Sequence, residues 1–146
     1  MSSFRLSLFA LAAVVATDAR AADVDFRLLW FLIHEAGGVQ QQEQWNIACA
    51  SRQCTISRAF SGKEIGSREI PSPRAHELLK AAETLPTAPK SVTGTGFPVE
   101  EIRVSQEKKQ WAKYRPAVSE TGDMSISFAW TNFELALRHA WDGRTR

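Results

Sequence analysis

Apolar residues recur at two different periods along this chain, and the period decides which element each stretch predicts. Phe26, Leu29, Trp30 and Ile33 stand at helical spacing, and Leu28 and Leu32 widen the stripe. The spacing therefore predicts a first helix over 25–36, capped by Asp23 or Asp25 and stopped by Gly37-Gly38. Gln40 to Gln44 reads as a polar connector. From Trp45 onward the period drops to two: Trp45, Ile47, Cys49, Cys54 and Ile56 share one side, and Asn46, Ala48, Thr55 and Ser57 the other. That is the alternation of a half-buried antiparallel hairpin, spanning about 44–60 and followed by a turn at Ser61-Gly62-Lys63.

Ser72-Pro73 opens the clearest helix, since serine caps and proline suits the first helical position. Ala75, Leu78, Leu79, Ala82 and Leu85 form its apolar stripe, and Pro86 stops it. Residues 87–98 are rich in Thr, Pro and Gly and read as a surface loop. Glu100–Ser105 and Trp111–Arg115 predict a second strand pair, in a register the residues leave open. Met124, Ile126, Phe128 and Trp130 alternate with small residues and predict the strongest strand of the chain. Thr131-x-x-Glu134 then has the form of a capping box ahead of Phe133, Leu137, Ala140 and Trp141, a last helix ended by Asp142-Gly143. The expected fold is α+β: a single small domain, an antiparallel sheet built from hairpins with three helices packed against it.

The two cysteines add a constraint to this picture. Cys49 and Cys54 are the only pair in the chain. If they face each other, Ile47 faces Ile56 and Trp45 faces Arg58, so spacing and alternation agree on one register. Four intervening residues are not the two of a thioredoxin-type redox pair, and two thiols alone are too few for zinc. A structural disulfide is expected.

Residues 1–21 change the compartment. Arg5 supplies a positive n-region, Leu6 to Ala16 an apolar run, and Ala19-Arg20-Ala21 a small-residue cleavage site. This is the layout of a secretory signal peptide, too short to span a bilayer. Of 146 residues, removal of 21 leaves a single exported domain over 22–146, periplasmic or secreted and without a transmembrane segment. The chain's 18 basic and 16 acidic residues lose Arg5, Arg20 and Asp18 with it, leaving 16 against 15. A balance so close to neutral, with both signs scattered, does not suit a nucleic-acid binder.

Candidate chemistry is sparse. His34, His76 and His139 lie on separate predicted helices, and neither His34-Glu35 nor His76-Glu77 has the second histidine four residues on that a zinc-protease helix requires. No Gly-x-Ser-x-Gly elbow and no lysine-bearing phosphate loop occur. No catalytic residue, metal ligand or cofactor is assigned. Trp111 stands among Lys109 and Lys113 near a hairpin tip, and Arg52 tops the disulfide hairpin. These four are the candidate contact residues, because a pre-ordered loop and an exposed tryptophan both favour protein binding.

The leading expectation is a soluble exported protein-binding module, an inhibitor, immunity or accessory protein of a cell-envelope component. One alternative is an envelope enzyme, a metal-assisted hydrolase using the His34 and His76 regions. The other is a structural or assembly component of an exported machine. Oligomeric state is left open.

Overall fold

The computed structural model describes residues 24–88, 99–116 and 122–143, without side chains at 34–36 and 99. The expected signal peptide and most of the 87–98 loop lie outside these residues. Six strands and two helices follow in the order β1 (Phe26–Ala36), β2 (Val39–Ala50), β3 (Gln53–Phe60), β4 (Lys63–Ile70), α1 (Ser72–Thr84), β5 (Val99–Gln106), β6 (Lys109–Tyr114) and α2 (Met124–Asp142). The strands form one sheet in the order β4-β3-β2-β1-β5-β6, antiparallel at every pairing.

Beta1 to β4 are a meander joined by three tight turns. Gly37-Gly38, Ser51-Arg52 and Ser61-Gly62 all have positive φ at both positions, the geometry that matches the right-handed twist of the strands they join. Glycine adopts it freely; Ser51 and Arg52 do so at about 1 kcal/mol or more each. Asp25 Oδ1 accepts a hydrogen bond from Ser51 N at 2.9 Å, and the Cys49–Cys54 disulfide closes the hairpin directly below the tip. The observed register, with Cys49 opposite Cys54, Ile47 opposite Ile56 and Trp45 opposite Arg58, is the one the alternation requires. In the chain-entropy model so short a closed loop contributes about 2 kcal/mol.

Several expected elements are overturned. Residues 25–36 form a strand, not a helix. The run Leu28–Ile33 is apolar at every position, so helical and strand templates fit it equally, and Gly37-Gly38 serves a hairpin turn rather than a helix stop. Gln40–Gln44 is no connector but part of β2, drawn into register by β1 on one side. Met124–Trp130 is the first part of α2, not a strand. Its alternation does not mark one face: Met124 and Phe128 are exposed while Trp130 is fully buried. The true start is Asp123, whose carboxylate accepts a hydrogen bond from Ser125 N at 2.8 Å, a contact that holds its pKa below the usual aspartate value. Thr131 and Glu134 are mid-helix: Thr131 Oγ1 donates back to Ser127 O at 3.0 Å, and Glu134 pairs with Arg138 one turn on. The domain is therefore α+β with two helices among the described residues, not three.

Both helices lie on one face of the sheet. Leu28 and Trp30 of β1, Trp45 and Ile47 of β2, Ile56 of β3 and Ile102 of β5 are buried beneath Leu78 of α1 and Trp130, Phe133 and Leu137 of α2. Helix α1 ends where Pro86 accepts a hydrogen bond from Trp130 Nε1 at 2.9 Å, which ties the two helices together. Gly143 in the left-handed region (φ 71°) ends α2, as a C-terminal glycine does. On the edge strand β4, a Cβ at Gly66 would stand 3.2 Å from the Trp141 ring. Gly66→Val is accordingly expected to cost about 1–3 kcal/mol by overpacking. A thermal midpoint equal to that of the parent would show that Trp141 moves aside freely.

Candidate functional site

The helix-covered face holds two buried carboxylates. Glu100 accepts a hydrogen bond from Trp30 Nε1 at 2.9 Å and from Arg115 Nη1 at 2.6 Å. Arg115 also donates to Ser127 O, Ser127 Oγ and Thr131 Oγ1 of α2. Burial pushes the Glu100 carboxyl above its ordinary value, against the opposing pull of Arg115 and Trp30. Glu43 accepts from Trp45 Nε1 at 2.9 Å, from Arg58 and from Arg138 Nη2 at 3.3 Å. Arg58 and Arg138 also lie 5.0 and 5.7 Å from the Trp45 ring. The pattern follows from pairing. Trp30 and Trp45 are register partners, and each glutamate stands two positions from a residue directly beside its tryptophan or from the tryptophan itself, hence on the same face. Glu100 is held by one arginine and one indole and Glu43 by two arginines and one indole, and in each cluster an arginine links the carboxylate to α2.

The opposite face is different. Leu29, Phe31 and Ile33 of β1 point away from the helices, and all three are only half-buried. No described element packs over them. Phe31, Ile33, Gln42, Glu101 and Arg103 line a shallow groove on this open face. The Arg103 guanidinium lies 5.4 Å from the Phe31 ring and is ion-paired with Glu101, a contact that raises its pKa. An apolar central strand with apolar residues on both sides is the pattern of a strand covered on both faces; here one cover is supplied by the helices.

Of the four expected contact residues, Lys109, Trp111 and Lys113 share β6, and Arg52 stands on the β2–β3 hairpin. Trp111 is half-buried and packs against the core from the edge strand β6, and its indole nitrogen has no hydrogen-bond partner among the described residues. Lys113 lies 5.5 Å from the Trp111 ring and its ammonium donates to the carbonyls of Glu83 and Leu85 at the end of α1, where desolvation lowers its pKa. Lys109 is exposed at the start of β6, and Arg52 is exposed at the hairpin tip. That tip lies at the Phe26 end of β1, while the groove lies at the Ile33 end. The groove escaped sequence reasoning because it depends on β1 being a strand.

The histidines do not converge. His34 occupies a position near one end of β1, paired with Gln41. His76 on α1 stacks edge-on against Phe26 at the other end, ring centroids 5.2 Å apart. His139 lies in the last turn of α2. Among the described residues no helix is long and apolar enough to cross a membrane. No protein-family model matches the chain, and no curated protein sequence is significantly similar to it. The fold therefore defines the class: a small α+β domain with a disulfide-closed hairpin and an antiparallel sheet that carries both described helices on one face.

Proposed function

We propose that this chain is an exported protein-binding module, an inhibitor or accessory of a cell-envelope protein, and that the open face of its sheet is the contact surface. The observation that supports this reading is the triplet Leu29, Phe31 and Ile33, set on one of the two central strands of a face that no described element covers. An aromatic anchor flanked by paired charges suits a protein partner, since aromatic residues and arginine carry much of the energy of such contacts. The N-terminal n-, h- and c-regions and the Cys49–Cys54 disulfide support an oxidising, exported setting. The pairing of Glu43 and Glu100 with arginines favours binding over acid–base catalysis.

Phe31→Glu places a charge in the centre of the groove and leaves the helix-covered core untouched. Tagged protein expressed in its source organism is expected to retain one stoichiometric envelope partner, and Phe31→Glu to weaken that capture at least about tenfold, the effect of losing an anchor worth about 1.4 kcal/mol or more. Arg52→Ala and Lys109→Ala are expected to retain it. Capture that survives Phe31→Glu but fails with Arg52→Ala would move the contact to the hairpin tip and refute the sheet-face assignment.

A further inference from the structure

The first turns of α1 lie against the disulfide. Helix α1 begins two residues after Ile70, which is the register partner of Cys54, and His76 contacts Phe26, the register partner of Cys49. One ring nitrogen of His76 and the two sulfurs of Cys49 and Cys54 all lie within 4.8 Å of one another. His76 Nδ1 is 2.8 Å from Ser72 O. A carbonyl oxygen can only accept, so Nδ1 carries the proton, and in the neutral ring Nε2 is left with a bare lone pair. That Nε2 is buried and has no hydrogen-bond partner among the described residues. A backbone carbonyl on one ring nitrogen and a free lone pair on the other is the arrangement that orients metal-ligating histidines.

We infer that opening of the Cys49–Cys54 disulfide creates a Cys2His site, formed by Cys49, Cys54 and His76, for one thiophilic divalent cation of the zinc type. A dithiol reductant supplies two electrons and two protons to the disulfide and is itself oxidised to a disulfide; the cation then displaces both thiol protons and binds two thiolates and Nε2. Tetrahedral zinc places such ligand atoms about 3.5–3.8 Å apart, so on reduction the two sulfurs, bonded to each other in the disulfide, part to that spacing, while the ring nitrogen of His76, within 4.8 Å of both, draws in by up to about an ångström. A fourth position stays open for water or an exogenous ligand. Disulfide and metal exclude each other, which makes the site a property of the dithiol form alone. The sequence supplied only two sulfur ligands; the packing of α1 on the hairpin end brings the third.

The test uses the full chain, reduced with a small dithiol, freed of it under nitrogen and titrated with Co2+, then with Zn2+. The reduced protein is expected to bind one equivalent of Co2+, with thiolate-to-cobalt charge-transfer absorption and the visible bands of a tetrahedral site, all abolished by Zn2+. The disulfide form is expected to show none of these bands. His76→Phe, which keeps the ring contact with Phe26 but removes both nitrogens, should weaken binding at least about tenfold; His139→Phe should not. Zn2+ should also raise the thermal midpoint of the reduced protein, because it binds the folded chain in preference to the unfolded one. Equal binding by His76→Phe, binding to the disulfide form, or binding without a rise in midpoint would each overturn the inference.

Discussion

Trp45→Ala is expected to lower stability by about 3–5 kcal/mol, the cost of truncating a fully buried aromatic residue. Trp45 is 1 % exposed and meets Trp141 edge-on, ring centroids 5.6 Å apart. Its loss opens a cavity between β2 and α2, removes the surface on which Arg58 and Arg138 lie, and takes a donor from the buried Glu43. Domains of this size are stable by about 5–15 kcal/mol, so the variant should unfold at a temperature lower by on the order of 20 °C. Trp45→Phe keeps most of the ring and loses the indole N–H, and is expected to cost about 1–3 kcal/mol. Urea denaturation followed by far-ultraviolet circular dichroism separates the two. A Trp45→Ala cost below about 1 kcal/mol would show that α2 is not held through this tryptophan.

The second large effect belongs to Glu100. Glu100→Ala strands Arg115 beneath α2 and leaves Trp30 Nε1 without its acceptor, and removal of one partner of a buried pair costs about 3–5 kcal/mol. Glu100→Gln keeps an acceptor for Trp30 and should cost less. The two variants also separate geometry from charge. Because burial holds the native Glu100 pKa above its ordinary value of 4.5, the folded state binds this proton more tightly than the unfolded chain. The group's stabilising contribution is thus fully present below the unfolded pKa and lost as pH rises through the raised native pKa. Relative to Glu100→Gln, which does not titrate, the parent protein should gain stability on acidification across that window. A stability difference that stays flat or grows as pH rises there would contradict the assignment.

Local patterns carried much of the fold. The disulfide hairpin was legible to the register because alternation and cysteine spacing are short-range and independent. Helix α1 was legible through Pro73 and a regular stripe ending at Leu85, although Pro71 rather than the expected Ser72 stands at its cap position, and β5 and β6 were legible as a strand pair but not in their register. Beta1 was not, since a run without polar positions carries no period. Nor was the start of α2: the real cap, Asp123, lies one residue before Met124, while Thr131-x-x-Glu134 offers the same letters inside the helix. Both buried glutamates were invisible for a different reason. Each looks like a solvated carboxylate until its arginine arrives from another element.

By itself the amino-acid sequence determined the α+β class, the Cys49–Cys54 pairing and the boundaries of α1, all of which depend on neighbours within about a dozen residues. Only the tertiary structure decided that β1 is one of the two central strands, that both helices share one face while no described element covers Leu29, Phe31 and Ile33 on the other, and that His76 reaches the two sulfurs. Each of these joins residues far apart along the chain. Such contacts are settled by competition among all elements for the same buried surface, and no window on a single segment contains that competition.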